Sequence, residues 1–195
     1  MSTNKSSIEP PPCRLPEKLE PILGAHMAAS DLSAIERVML ACDGTFTFQL
    51  EAFKREAVSV DILSYDETSL EGKAAEILGG APGRAVLERK VLLYGSDTRE
   101  PYVFAHSYVD ARALPDAMQA ALKASPAGIG RLFVDHRLSI FRDLIGYFFE
   151  DGSAYASYFP GRRGLSFLAR VYRVWFKESP VMVITEKMPR DLFDE

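Results

Sequence analysis

The residues best placed to do chemistry are two charges set among apolar neighbours. Side chains alternate across a β-strand, so residues two apart share a face. Between Arg84 and Tyr94, Ala85, Leu87, Val91 and Leu93 fall on one face, and Arg89 falls with them. Near the C-terminus, Met182, Ile184 and Met188 share a face with Glu186. A charge turned toward a core is costly unless it is paired and hydrogen-bonded. Two arrangements meet that cost. The charges can neutralise each other or nearby chain, or they can line a polar pocket. In a pocket, the guanidinium matches a carboxylate by its two-pronged geometry. The glutamate, in low dielectric, would have a raised pKa and could exchange a proton.

Other reactive residue types form no comparable constellation. The cysteines are Cys13 and Cys42, and neither sits at metal-type spacing with a histidine. A disulfide is not expected, and a reducing cytoplasm is the simplest setting. His106 shares a face with Tyr102, Phe104 and Tyr108 and reads as a satisfied, half-buried histidine. His136 reads as a helix-end residue and His26 as part of a tail. No Gly-x-Ser-x-Gly elbow is present, which argues against a hydrolase triad. Gly79-Gly80-Ala81-Pro82-Gly83 suits a plain turn better than a phosphate loop. Gly161-Arg162-Arg163-Gly164 reads as a solvated basic loop, and Trp175 as a core or half-buried sheet residue.

The elements that must carry Arg89 and Glu186 follow from periodicity and turn residues. The chain has 195 residues, 47% hydrophobic and 26% charged, which suits one globular domain with or without a tail. A net charge of −4 gives no concentrated positive field for nucleic acid or an anionic membrane. No apolar run approaches the ~20 residues that span a bilayer, and MSTNKSSIEPPP lacks the apolar core of a signal peptide. Residues 1–28, with Pro10, Pro11, Pro12, Pro16 and Pro21, read as a partly ordered arm before a domain over 29–195. Ser33 and Glu36 fit a capping box that opens a helix ending at Asp43-Gly44, and Thr45 or Thr47 caps a second short helix through about Phe53. Alternation predicts a strand over 57–65 and a hairpin of 84–94 with 102–110. Helices follow at 114–123 and about 129–135, then a strand over 138–149, a loop over 152–164, and a second hairpin of 169–177 with 181–188. Hairpins imply antiparallel pairing, hence an α+β fold with helices over an antiparallel sheet.

An ordered series of segments resembles the chorismate pyruvate-lyase (4-hydroxybenzoate synthase) family, in the bacterial branch that includes mycobacterial homologues. The series runs from about Ile35 to Phe193. It comprises Asp43-Gly44-Thr45-Phe46-Thr47, Ala57-Val58-Ser59-Val60, Leu87-Glu88-Arg89-Lys90-Val91-Leu92-Leu93 and Ser125-Pro126-Ala127-Gly128-Ile129-Gly130-Arg131. It closes with Ala169-Arg170-Val171-Tyr172-Arg173-Val174 and Pro180-Val181-Met182-Val183-Ile184-Thr185-Glu186. The resemblance implies a single antiparallel sheet covered by helices, with two helical flaps closing a buried ligand cavity. It implies a lyase that splits chorismate into 4-hydroxybenzoate and pyruvate with no metal or cofactor. Arg89 would hold the ring carboxylate and Glu186 would meet the hydroxyl end of the ring. Backbone amides near Thr45, and at Ile129 before Gly130, would help to hold the carboxylate. This chain departs from the proteobacterial pattern in having Thr45 where that flap has methionine, and in reading Ala127-Gly128-Ile129-Gly130 at the second flap.

Chorismate carries a second carboxylate, so a further cation is expected. Arg170 and Arg173 have opposite parities on one strand, and both rank below Arg89, with Arg173 kept as a substrate-binding candidate. The implied setting is a cytoplasmic enzyme of phenolic secondary metabolism or a ubiquinone-type pathway, monomer or dimer. The alternatives are a related enzyme, or a non-catalytic binder, acting on another small cyclic or aromatic carboxylic acid.

Overall fold

The computed structural model describes residues 31–42, 44–124, 127–162 and 166–194. The expected arm over 1–28 lies outside the described residues, as do Asp43, Ser125 and Pro126. Among the described residues there are five α-helices and six strands. In chain order they are α1 (Ala34–Ala41), α2 (Phe46–Lys54), β1 (Val58–Leu70), α3 (Gly72–Leu78), β2 (Arg84–Gly95), β3 (Pro101–Val109), α4 (Asp116–Ala124), α5 (Ile129–Asp135), β4 (Ile140–Asp151), β5 (Ser166–Phe176) and β6 (Ser179–Pro189). Among the described residues, no helix is long and apolar enough to cross a membrane.

Helix α1 begins at the expected capping box. Ser33 Oγ accepts from the Glu36 N–H at 3.2 Å, and Glu36 Oε2 accepts from the Ser33 N–H at 2.7 Å. Glu36 also accepts from Arg190 Nε at 2.7 Å, which ties α1 to the turn after β6.

The strands form one antiparallel sheet in the order β1-β2-β3-β6-β5-β4. Both expected hairpins are present, β2–β3 and β5–β6, and the β3–β6 ladder joins them. Helices cover both faces. On one, Met39, Leu40, Phe46 and Leu50 of α1 and α2 pack over Val91, Leu93, Leu168 and Met188. Beside them, Met118, Leu122, Leu132 and Phe133 of α4 and α5 pack over Leu87, Tyr172, Val174 and Ile184. On the other face, Ala75 and Leu78 of α3 cover Val86, Val171 and Val183, while Phe159 packs with Phe104 and Phe167.

Two elements differ from expectation. Strand β1 runs on to Leu70, because the polar stretch 66–69 keeps pairing with Glu88 to Ala85. Helix α3 follows over 72–78, where the sequence reading placed no element, ahead of the plain turn expected at Gly79–Gly83. Its N-cap, Glu71, makes no side-chain cap bond, and Gly79, at φ 66°, closes its C-terminus in the left-handed conformation that glycine adopts without strain.

Candidate functional site

Strand parity sets the floor of the site. Arg89 and Val91 of β2, Ala105 and Ser107 of β3, Ile184 and Glu186 of β6, Tyr172 of β5 and Arg142 of β4 all line one cavity. Phe46 and Thr47 at the start of α2, and Gly128, Ile129 and Gly130 at the start of α5, complete it. The space that the centre of a water molecule can occupy is about 40 Å³.

The cavity therefore holds both Arg89 and Glu186, and they do not pair with each other. Arg89 is 1% exposed. One terminal nitrogen donates to the Ala127 carbonyl at 3.4 Å, while Nε is buried with no hydrogen-bond partner. Burial lowers its pKa to about 10. Among the described residues no carboxylate forms an ion pair with it. A guanidinium in this state has unmet demand for an anion.

Glu186 is held from the neighbouring strand. The β5–β6 register sets Arg170 directly opposite it. Arg170 Nε donates to Glu186 Oε2 at 2.6 Å, and the Tyr172 hydroxyl donates to Oε1 at 2.9 Å. Arg170 also donates to the carbonyls of Met39 at 2.9 Å and Cys42 at 3.3 Å. The Phe46 and Tyr172 rings flank its guanidinium at 4.5 and 5.1 Å. Burial pulls the Arg170 pKa down, the Glu186 charge pulls it up, and the upward pull wins. Burial, reinforced by the Glu186 charge, raises the Tyr172 hydroxyl well above its ordinary value.

The starts of α2 and α5 meet over this floor. Thr45 is the α2 N-cap residue, without a side-chain cap bond. A Cβ added at Gly130 would lie 2.8 Å from Thr45 Cγ2, so only glycine permits this approach. Thr45 touches the α5 start, whereas Ile129 and Gly130 line the cavity itself.

Arg173 is not brought to the cavity. Its parity turns it toward the α3 face, where it donates to the Ile77 carbonyl at 2.8 Å and to Asp143 at 2.6 Å. Its guanidinium also lies 4.7 Å from the Trp175 ring. His106 lies on that face as well, 2.7 Å from Glu88 Oε1.

The sequence carries no signal for Tyr172 or Arg142 as substrate contacts, and offers Arg170 only as a lower-ranked second cation, not as the partner of Glu186. Arg142 and Tyr172 also line an adjoining cavity of about 60 Å³, together with Leu40, Ala41, Cys42, Leu144 and Arg170. Val91, Leu93, Phe46 and Ile184 give the first cavity apolar walls. Among the described residues its lining also supplies a guanidinium with no partner carboxylate, Arg89, and a hydrogen-bonded carboxylate, Glu186.

A model of the chorismate pyruvate-lyase Rv2949c-like family matches residues 40–193. The chain is 26% identical over 167 residues to a chorismate pyruvate-lyase of Mycobacterium tuberculosis strain H37Rv, covering 80% of each. It is 26% identical over 160 residues to the Mycobacterium leprae protein of the same name, covering 82% of this chain and 76% of that one. Among solved structures, PhnF from Mycobacterium smegmatis matches with a TM-score of 0.61 at 10% identity, over 77% of this chain and 66% of that one. A possible transcriptional regulator, YydK from Bacillus subtilis, matches with a TM-score of 0.56 at 16% identity. That match covers 69% of this chain and 59% of the regulator. At such identities these two proteins share the sheet and helix arrangement with this chain, and fold does not carry activity with it. The sequence matches are of another kind, spanning every element from the end of α1 to the turn after β6, and by them this chain belongs to the Rv2949c-like chorismate pyruvate-lyase family.

Proposed function

We propose that this protein removes pyruvate from chorismate to leave 4-hydroxybenzoate, using no metal or organic cofactor. The observation that carries the reading is the buried Arg89 guanidinium, without a partner carboxylate among the described residues, facing the same cavity as Glu186.

The reaction needs little from the protein beyond orientation. The ether C–O bond breaks, and the C–H electrons at the hydroxyl-bearing ring carbon become the third ring double bond. The hydrogen ends on the methyl carbon of pyruvate. Atoms balance without water, and the gain of aromaticity drives the step. Holding the enolpyruvyl arm over the departing hydrogen supplies proximity. Arg89 anchors the ring carboxylate. Glu186 accepts a hydrogen bond from the ring hydroxyl as charge redistributes, while Arg170 and Tyr172 fix its two oxygens. Phe46 and Ile129 cover the ring, and the starts of α2 and α5 act as lids whose parting limits product release.

Purified protein mixed with chorismate, with no metal added, is expected to yield pyruvate and a phenol in equal amounts. Arg89→Ala should abolish turnover and weaken 4-hydroxybenzoate binding. Glu186→Gln should lower turnover more than it lowers the melting temperature. Wild-type rates in both variants would overturn the assignment. Binding of 4-hydroxybenzoate without chorismate consumption would make the protein a non-catalytic binder of an aromatic acid, the reading its structural resemblance to regulator domains makes worth testing.

A further inference from the structure

Arg89 has an unpaired neighbour on β1. In the β1–β2 ladder Tyr65 stands directly opposite Arg89, and directly opposed residues project to the same face of a sheet. Tyr65 is there because β1 is irregular. As far as Ile62, the even-numbered Val60 and Ile62 oppose Leu93 and Val91. The register then shifts between Ile62 and Ser64, and the odd-numbered Tyr65 enters the row of Arg89. One extra residue in a strand turns every side chain beyond it to the other face. The Tyr65 ring packs against the same core cluster as Ala127 and Ile129 at the start of α5. The row continues from Arg89 to Ser107, and the two polar neighbours of the guanidinium differ. Ser107 Oγ already donates to the Arg89 carbonyl at 3.3 Å. The Tyr65 hydroxyl oxygen is buried with no hydrogen-bond partner among the described residues, and so is Arg89 Nε. Burial leads in raising the Tyr65 pKa, the Arg89 charge acts against it, and the hydroxyl keeps its proton at neutral pH. Two buried donors with nothing to donate to therefore stand side by side in one row. Unpaired donors are costly to bury, and a single group with two acceptor oxygens satisfies both.

We infer that Tyr65 is a second binding residue for the ring carboxylate, its hydroxyl donating to one carboxylate oxygen while Arg89 donates to the other. The inference rests on the proposed function, which puts the ring carboxylate at Arg89, and adds a neutral donor to the charged one. A phenol holds the anion without bringing a second charge into the buried row, where each charge costs the empty fold. The β1 irregularity is thereby given a purpose, since it aims the one hydroxyl of that strand segment into the row where an anion is wanted.

Tyr65→Phe removes one oxygen and keeps the ring. The calorimetric Kd for 4-hydroxybenzoate should rise roughly 10- to 100-fold, the factor carried by one hydrogen bond to a charged group. Substrate and product both carry the ring carboxylate, so the KM for chorismate should rise as well while kcat stays within about two-fold. Binding of 4-methylphenol, which has the ring and hydroxyl but no carboxylate, should be the same in both proteins. The melting temperature of the unliganded variant should not fall, because the hydroxyl has no bond to lose among the described residues. An unchanged Kd for 4-hydroxybenzoate overturns the inference. So does an equal loss for 4-methylphenol, which would mean that Tyr65 acts by packing. A drop in the unliganded melting temperature overturns it too, since the hydroxyl would then serve the fold. If the wild type binds 4-hydroxybenzoate but leaves chorismate intact, the proposed reaction falls, and the Kd values and melting temperatures still decide the role of Tyr65. If the wild type turns chorismate over and only the Tyr65 result fails, the reaction stands with Arg89 as its anion site. If the wild type does neither, both readings fall.

Discussion

At Arg89 the side chain that suits function works against folding. A guanidinium 1% exposed, with Nε unpartnered and its pKa lowered to about 10, is held at a cost to the folded state. The lowered pKa means that charging disfavours the native state at every pH below about 10, so neutral buffer shows the whole effect. Arg89→Met should therefore raise stability by about 2 kcal/mol, or roughly 4–8 °C in Tm at this chain length, while abolishing aromatic-acid binding. Thermal melts of the two proteins with and without 4-hydroxybenzoate check this, and a destabilised Met variant would show that Arg89 is braced by the fold. This residue and Glu186 were legible in the sequence because strand period is two and their strands alternate cleanly. Arg142 was not. The run Ile140-Phe141-Arg142-Asp143-Leu144-Ile145 is mixed on both faces, and a register shift between Leu144 and Gly146 breaks the alternation. The bond from Arg170 to Glu186 needed the β5–β6 register, which no single strand reveals.

Among the elements, α2 and α5 are the ones whose fit decides access. The 2.8 Å between a Cβ at position 130 and Thr45 Cγ2 leaves no room for alanine unless one helix start moves. Gly130→Ala should separate the two starts and speed 4-hydroxybenzoate release severalfold, with a smaller change in association rate. Thr45→Ala removes the clashing methyl, so the double variant should return toward the wild-type off-rate; an additive double variant would show that the contact does not couple the helices. A second element-level device locks the β2–β3 hairpin to the end of α2. Glu56 accepts from Tyr102, from the Thr98 hydroxyl at 2.9 Å and from the N–H groups of Asp97 and Thr98 at 3.0 and 3.1 Å. The Tyr102 hydrogen bond leads in lowering its pKa from 4.5 to about 2. A depressed carboxylate stabilises the fold above its unfolded pKa and loses that contribution as pH falls through its folded one. Melting temperature should thus decline between about pH 4.5 and pH 2, and Glu56→Gln should flatten that part of the curve. The hairpin itself was readable from its turn residues, whereas α3 was not. It is seven residues long, lacks a side-chain bond at its N-cap, and buries only Ala75 and Leu78, so its helicity comes from docking onto the sheet.

At the scale of the whole molecule, the sheet is two three-stranded halves, β1-β2-β3 and β6-β5-β4, joined by one ladder. The seam runs under the cavity, since Ala105 pairs with Glu186 and Ser107 with Ile184. Arg89 belongs to one half, while Glu186, Tyr172 and Arg142 belong to the other. Local patterns identified the strands and both hairpins. They could not identify the β3–β6 pairing, which is a contact between segments far apart in sequence, and so could not by themselves bring the two charges together. A site split this way exists only when both halves are folded and paired, so a ligand that bridges them must stabilise the molecule as one unit. The lone tryptophan, Trp175 on β5, reports on the second half, and far-ultraviolet circular dichroism reports on all strands and helices. In urea, the two probes should give one coincident midpoint. Excess 4-hydroxybenzoate at 100 times its Kd should raise unfolding free energy by about 2.7 kcal/mol by both probes, and by neither in Arg89→Ala. A fluorescence transition that separates from the dichroism, or moves alone on adding ligand, would mean that the second half folds and binds without the first.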